Sequence, residues 1–187
     1  MTIYQLTREG YVIRGGDTKV PIVDSPLSPN TNPDFLEYKA WLAAGGIPLP
    51  ADPEPASAVW DRIKVERDRR AALGVKVGAH WFHSDEKSRI QQLALTSPTL
   101  TIPPGLQWKT LTFTPPPVFV TMTRELAIQI VQATAASDTA IFIAAEVHRM
   151  AMEASPDPGN YDFSAGWPAS IEEEANEAGI AFDARLL

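Results

Sequence analysis

The fold is decided by the stretch Val75–Leu95, which reads V-K-V-G-A-H-W-F-H-S-D-E-K-S-R-I-Q-Q-L-A-L. Its first eight residues alternate in character and are rich in β-branched and aromatic side chains, a pattern that predicts a β-strand. Ser84 or Asp85 then ends the strand and can cap a short helix that carries Ile90 and Leu93 on one side. A strand therefore leads directly into a helix at the centre of the chain.

Two later segments predict partners for this strand. L-Q-W-K-T-L-T-F (106–113) and V-F-V-T-M (118–122) are rich in Trp, Phe, Val and Thr, which favour strands. Prolines between and around them confine these strands to sheet edges or to strand starts. We therefore expect a small antiparallel sheet at the centre of the main domain.

The composition is that of an ordinary folded protein. The chain has 187 residues, of which 44% are hydrophobic, enough for a sizeable core. It has no cysteine, which excludes disulfides and thiolate metal sites and suits a reducing cytoplasm. The N-terminus lacks the layout of a signal peptide, and we expect no membrane insertion because no apolar run reaches roughly 18 residues.

The net charge of −7 is unevenly distributed. Residues 1–56 carry −3, residues 57–110 carry +4, and residues 111–187 carry −8. In the basic part, arginines alternate with acids, as in R-I-K-V-E-R-D-R-R (62–70). Such mixed charge indicates a solvated helix face rather than a nucleic-acid surface. We therefore predict no nucleic-acid partner.

The first 46 residues predict a small module of strands followed by a helix. Three short strands joined by turns are expected at 3–6, 11–14 and 19–23. A helix begins after Asn32, because Asn is a good N-cap and Pro33 suits the first helical position. Its apolar face consists of four residues, and glycines 45 and 46 end it. These four residues are Phe35, Tyr38, Trp41 and Leu42.

Prolines and charge then divide the chain. The sequence I-P-L-P-A-D-P-E-P-A (47–56) predicts an extended, semi-rigid linker between residues 1–46 and a second domain at 57–168. Residues 169–187 form an acidic tail, either a short helix or a frayed end. The predicted fold class is α+β: a small β-meander plus helix, a proline-rich linker, then a helix, a small antiparallel sheet and a long C-terminal helix.

Two helices frame the second domain. One is capped by Ser57 and runs to about Leu73, with an apolar stripe so thin that it predicts a weakly packed helix. The other is capped by Thr123 and covers residues 124–153, unless Ser137 and Asp138 break it in two. Its apolar stripe follows a 3.6-residue period. The members of the stripe are Leu126, Ile130, Ala133, Ser137, Ile141, Ala144, His148 and Met152.

No residue cluster demands a reaction. His80 and His83 have a spacing that brings two metal ligands together on a helix, but on a strand they face opposite ways. Ser84 and Asp85 lie near His83 without the G-x-S-x-G turn of a hydrolase, and glycine-rich nucleotide motifs are absent from the sequence. We therefore predict no catalytic residue, no metal site, no cofactor and no enzymatic activity.

The strongest functional signal is a resemblance. Residues 32–52, N-P-D-F-L-E-Y-K-A-W-L-A-A-G-G-I-P-L-P-A-D, and the strands before them are similar to a leader module of small bacteriophage tail proteins. The remainder resembles an uncharacterised domain that accompanies the tail-fibre genes of tailed phages. The motifs that carry this second resemblance are I-K-V-E-R-D-R-R (63–70), K-V-G-A-H-W-F-H-S-D (76–85), S-R-I-Q-Q (88–92), L-Q-W-K-T (106–110), F-V-T-M-T (119–123) and Y-D-F-S-A-G-W-P (161–168).

The resemblance, which covers roughly residues 3–51 and 60–168, implies a non-catalytic tail protein of the tail fibre or baseplate. The alternative is a tail fibre assembly factor, a chaperone that binds the fibre tip, with its departure from the virion left open; an envelope-polymer hydrolase is a remote third. The implied partner is a fibre or baseplate protein, with a homo-oligomer left open. The protein would be made in the host cytoplasm and be carried in the virion tail.

Three aromatic residues are candidates for partner binding. Tyr38 and Trp41 lie on the first helix beside the proline-rich segment, and Trp167 lies in a loop-like stretch near the end of the chain. Large aromatic residues supply much of the binding energy of protein interfaces when they are accessible. We therefore predict that these three contact a partner.

Overall fold

The computed structural model describes residues 2–182 and divides after Glu54 into two compact units. The first unit begins with a three-stranded antiparallel meander of β1 (Tyr4–Leu6), β2 (Tyr11–Arg14) and β3 (Thr18–Pro21). Helix α1 (Pro33–Ala43) follows. The predicted meander and helix are confirmed, with strand bounds that differ by one or two residues.

Helix α1 begins where its cap predicts. The side-chain oxygen of Asn32 accepts a hydrogen bond from the backbone N–H of Asp34 at 2.8 Å, and Pro33 occupies the first helical position. The buried residues of α1 are Phe35 and Tyr38, which pack on the meander. A one-turn amphipathic face is therefore enough to give the first unit its core.

The proline-rich segment lies along the meander for part of its length. The N–H of Leu49 donates to the carbonyl of Tyr4 at 2.8 Å, and the N–H of Leu6 donates to the carbonyl of Leu49 at 2.9 Å. Farther along, the Gln5 side chain donates to Asp52 at 2.7 Å. An extended proline-rich chain has nearly the geometry of a strand, and Leu49 supplies the N–H that prolines lack. Residues 49–52 therefore belong to the first unit rather than to a free spacer.

The second unit combines helices with two short strand pairs. Its described elements are α2 (Ala56–Ala71), β4 (Val75–Val77), β5 (His80–Phe82), α3 (Glu86–Leu95), β6 (Gln107–Lys109), β7 (Phe119–Thr121), α4 (Arg124–Glu153), a 3₁₀ turn (Pro158–Asn160) and α5 (Ile171–Glu177).

The central sheet differs from its prediction. The stretch expected to be one strand is a hairpin, β4 paired with β5, because Gly78 turns the chain with a φ of +61°. Strands β6 and β7 form a second antiparallel pair. One backbone contact joins the two pairs: the N–H of Leu111 donates to the carbonyl of Trp81 at 2.8 Å. The predicted three-partner sheet is therefore wrong in its pairing.

Helix α2 is also better packed than its thin apolar stripe predicts. It begins at Ala56 after Pro55, so the predicted Ser57 cap is wrong. Val59 and Ile63 are fully buried, and α2 packs along α4. Two well-placed aliphatic residues suffice here because they pack with Ala145 and Met152 of α4, and the small side chain of Ala145 allows close approach.

Helix α4 is one unbroken helix of 30 residues, and the predicted alternative of a break at Ser137 and Asp138 does not occur. Thr123 caps it as predicted, accepting from the N–H of Leu126 at 3.1 Å. The helix is long and apolar enough to cross a membrane by length and composition alone. Here it is the central packing element, in contact with α2, α3 and β4.

The acidic segment at the end of the described chain forms α5, the helical alternative. The backbone N–H of Ser170 donates to Glu173 at 2.8 Å in a capping box. Ile171 and Ala175 are fully buried, and Ile171 packs with Leu73 in a core cluster. The acidic residues therefore belong to a helix that is packed in the second unit. Residues 183–187 of the predicted tail lie outside the described part of the chain.

Candidate interaction surface

The polar residues of the K-V-G-A-H-W-F-H-S-D motif fasten helix ends together. The Ser84 hydroxyl donates to the carbonyl of Ala71 at 2.7 Å, at the end of α2, and accepts from the N–H of Gly74 at 2.9 Å. Asp85 caps α3, as predicted, by accepting from the N–H groups of Lys87 and Ser88. Both the proton of this hydroxyl and one of its lone pairs are thus engaged by the backbone that follows α2.

Arg89 extends this fastening to the long helix. Its guanidinium donates to both carboxylate oxygens of Asp138, at 2.5 and 2.9 Å, and to the carbonyl of Ala71 at 2.8 Å. It also donates to the carbonyl of Ser84. One side chain thus ties α2, α3 and α4 together, which explains why Asp138 does not interrupt α4.

The Y-D-F-S-A-G-W-P motif forms an aromatic cluster with α2 and α4. The indole N–H of Trp167 donates to the carbonyl of Phe163 at 2.7 Å. The Trp167 ring lies 4.9 Å from the imidazole of His148, and the guanidinium of Arg70 lies 5.3 Å from its centre. Tyr161 completes the cluster, with its hydroxyl 3.0 Å from Nδ1 of His148. The predicted contact residue Trp167 is thereby held inside the unit on most of its surface.

Arg70 is the charged centre of this region. Its side chain is only 8% exposed, and it pairs with Glu66 at 2.7 Å and with Glu173 of α5 at 2.9 Å. The neighbouring Arg69 pairs with Glu66 and Glu172 at the surface. The motif I-K-V-E-R-D-R-R, predicted to be a solvated face, thus supplies one buried arginine that holds α5 against α2.

His148 is buried in the aromatic cluster, and its burial sets its acid–base behaviour. Desolvation lowers the pKa of the imidazole below 6.5, the nearby charge of Arg70 lowers it further, and the carbonyl of Ala165 partly offsets both. Despite that carbonyl, Nε2 has no hydrogen bond of ordinary geometry among the described residues. Protonation therefore disfavours the folded state.

The pH dependence of stability tests this account of His148. Because the folded pKa lies below the unfolded value, the unfolded chain binds more protons, and stability falls as pH drops from about 6.5 through the folded pKa. We expect His148→Gln to flatten the loss of thermal stability between pH 7 and pH 5, measured by circular dichroism. His80→Gln, which retains His148, is the matched control and should keep the wild-type slope. An unchanged slope in His148→Gln would contradict the assignment.

The other two predicted contact residues lie in the first unit. Tyr38 is 6% exposed and packs 4.9 Å from the ring of Tyr4, so it belongs to the core of this unit, and its partner role stays a prediction. Trp41 is half-buried on the same cluster, with its ring against Gly46. Aromatic residues beside a helix stop close the small core of this unit. A partner role for Trp41 and Trp167 stays a prediction.

A groove of about 480 Å³ lies between β4, α4 and α5. Acidic side chains of α5 line it, but Glu174 accepts from Lys76 at 2.5 Å and from the indole N–H of Trp81 at 3.1 Å. Within residues 2–182, no three metal-ligating side chains come together. The groove's charges are thus largely engaged within the protein.

The most prominent open surface is apolar and lies on α4. We call it the outer face of α4; it consists of five large exposed side chains, 38–58% accessible, on the side turned away from the core. These residues are Ile128, Phe142, Ile143, Val147 and Met150. Helix α3 adds Ile90 and Leu93, exposed at 63% and 60%, while its Gln92 is buried. The predicted apolar side of α3 therefore faces outward.

The apolar stripe predicted for α4 lies on the side of the helix that faces the core. The exposed apolar residues on the other side are marked by a different feature of the sequence. Five members of the stripe are buried: Ile130, Ile141, Ala144, His148 and Met152. The signal that marks the outer face is the run I-F-I-A-A-E-V (141–147), which is apolar on both sides of a helix. A helix that is apolar all around needs a partner on each side, and residues 2–182 cover only one side of this helix.

Comparison with known proteins agrees with the division of the chain. Neither the curated proteins nor the solved structures give a match. A family model described as Domain of unknown function (DUF4376) matches residues 54–165, from the start of the second unit through most of its aromatic motif. The match covers more than half of the chain, which therefore belongs to the DUF4376 family.

Proposed function

We propose that the chain is a non-catalytic structural protein of a bacteriophage tail, associated with the fibre or the baseplate. The observation that carries the proposal is that polar and apolar side chains have different roles in this structure. The polar motif residues Ser84, Arg89 and Arg70 hold the fold together, while large apolar side chains point outward. A protein built this way is suited to binding other proteins.

Both units offer such surfaces, considered separately. In the first unit, three apolar side chains of the loops that flank α1 are strongly exposed: Val23 at 74%, Leu27 at 98% and Ile47 at 86%. In the second, the outer face of α4 runs along a helix about 45 Å long. Monomeric proteins rarely leave such patches uncovered without a function for them. These surfaces support docking on a tail protein made in the same host cytoplasm.

The resemblance of residues 3–51 and 60–168 to tail-associated proteins supplies the assembly in which docking would occur. It also supports the second candidate, a fibre assembly factor, because an exposed loop residue such as Leu27 serves transient binding equally well. An envelope hydrolase has the weakest support, since Ser84 and Asp85 are engaged as caps and His148 is packed among aromatic rings.

Mass spectrometry of purified virions tests the proposal. A structural tail component is expected at a small fixed copy number, such as about three or six per particle, relative to the major tail proteins. Absence from the particle, with co-purification alongside a fibre protein from lysates, would favour the assembly factor. Absence from both would overturn the tail assignment.

A further inference from the structure

Along the outer face of α4, large and small side chains follow nearly the same pattern when the helix is read in either direction. Large side chains lie towards each end, at Ile128 and Ile143, and small ones lie between them, at Ala135, Ala136 and Thr139. Small residues let two helices approach closely at a crossing point. If a second α4 crosses in the antiparallel sense at the alanines, each Ile128 falls opposite an Ile143 of the other copy.

The charged residues of α4 lie towards its ends, so the middle of the helix, where the two copies would cross, carries almost no charge. Between Glu125 and Glu146 the sequence of α4 holds one charged residue, Asp138, and Arg89 pairs with it at 2.5 Å. At the ends, Glu125 falls opposite Glu146 of the other copy, with Arg124 beside the first and Arg149, 3.3 Å from Glu146, beside the second. Acid and base thus balance where the apolar contact stops.

A knob and a groove lie beside the crossing. Phe142 is 53% exposed, and a groove of about 200 Å³ opens between α3 and α4, lined by Leu93, Val131 and Ala135 among others. In the antiparallel arrangement Phe142 of one copy lies level with residue 129 of the other, next to Val131. A projecting ring and an apolar groove at the same level are what an isologous contact requires, since each copy supplies both.

We propose that the occupant of this face is a second copy of the chain, forming an antiparallel dimer about a two-fold axis between residues 135 and 136. The proposal does not depend on the tail assignment, because it concerns the purified protein alone. Each residue of one α4 would then lie opposite a residue of the other α4 such that the two residue numbers add up to about 271. Ile128 would lie opposite Ile143, and Gln132 opposite Thr139.

The large side chains of the outer face supply about half of the area of a standard interface. The five large side chains of the outer face are about half exposed, and at roughly 150–200 Å² each they supply about 400 Å² of apolar surface per copy. A standard interface buries roughly 800 Å² per partner. The alanines, Gln132, Thr139 and the exposed Leu93 of α3 lie beside the same face and contribute to the remainder.

Analytical ultracentrifugation of the full chain gives the first test. The wild-type protein is expected to sediment at twice its chain mass of 20.4 kDa at micromolar concentration. Ile143→Glu should weaken association at least about 100-fold, because it buries a charge opposite Ile128 in both halves of the dimer. Val65→Glu is the matched control: Val65 is 69% exposed on α2, away from this face, and the variant should remain dimeric.

Single cysteines give the second test, which also fixes the direction, because the natural chain has none. Ala135→Cys should form a disulfide with itself under mild oxidation, since the two copies meet there. Ile128→Cys alone should not, because the two positions would be about 22 Å apart along the axis. A mixture of Ile128→Cys and Ile143→Cys should crosslink.

Each result decides the proposal. A monomeric wild-type protein would overturn it, whether or not the face binds lipid vesicles instead. Self-crosslinking of Ile128→Cys without crosslinking in the mixture would replace the antiparallel pair by a parallel assembly and overturn the stated geometry. Because the cysteine variants carry small changes, they still distinguish these outcomes if Ile143→Glu fails to fold by circular dichroism.

Discussion

A Gly74→Ala variant is expected to lose about 2–5 kcal/mol of unfolding free energy in the second unit. Gly74 follows α2 with a φ of +105°, a conformation that L-residues with a Cβ adopt only under strain. A Cβ there would also lie 2.8 Å from the carbonyl oxygen of Phe82 and 2.5 Å from Leu111. Leu111 could rotate away, but the backbone of Phe82 is paired in the hairpin and cannot.

The matched control is Gly78→Ala, four residues farther along. Gly78 also has a positive φ, of +61°, but a Cβ there would meet nothing within 4 Å. Only the backbone strain remains, about 1–2 kcal/mol. Urea denaturation followed by circular dichroism compares the two variants. Equal losses would show that crowding at Gly74 contributes nothing and would contradict the close approach of α2 to β5.

The sequence near a helix N-terminus is enough to predict where most of these helices begin. Asn32, Thr123 and either Ser84 or Asp85 are predicted as caps, and Asn32, Thr123 and Asp85 accept backbone hydrogen bonds in the structure. Caps depend on residues two or three positions apart, so the sequence contains the whole interaction. Ser57 is the exception: it has the character of a cap, but α2 already begins at Ala56, with Pro55 in the N-cap position.

Pairing between distant segments is not predictable in the same way. Val75–Phe82 alternates like a strand, and only the positive φ of Gly78 turns it into a hairpin. A glycine within a strand pattern allows a turn without requiring one. The burial of Arg70 is similar, because Glu173 lies 103 positions away, and no local rule selects Arg70 over Arg69.

The candidate surface escapes prediction because residue type alone does not determine burial. Tyr38 and Trp167 are aromatic residues beside loops, which suggests contact residues, but each lies against a core cluster. Ile143 and Val147 are exposed, although aliphatic residues in a helix usually belong to the core. Which face of α4 is covered depends on where α2 and α3 pack, and Arg89 ties these helices to α4 through Asp138 and the carbonyl of Ala71, which are far from it in the sequence.

Removal of the buried side chain of Arg70 is expected to have the second large effect on stability. Arg70→Ala should destabilise the second unit by about 2–4 kcal/mol, because it leaves Glu173 without its buried partner and removes the cation over Trp167. The adjacent Arg69→Ala provides the matched control. Arg69 makes as many ion pairs but is 42% exposed, so its loss should cost less than about 1 kcal/mol.

The pH dependence of the Arg70→Ala effect separates charge from packing. Hydrogen bonds from Arg69 and Arg70 lower the pKa of Glu66; burial raises that of Glu173, but Ser170 and Arg70 bring it below its usual value. Stability linked to a lowered carboxylate pKa is present above the unfolded value, near 4.5, and is lost as pH falls through the folded one. The gap that Arg70→Ala opens should therefore be full at pH 7 and narrow below pH 4.5; urea denaturation in a His148→Gln background measures it, because Arg70 also lowers the pKa of His148. A gap that stays constant would mean that the arginine acts through its guanidinium over the Trp167 ring and not through its ion pairs.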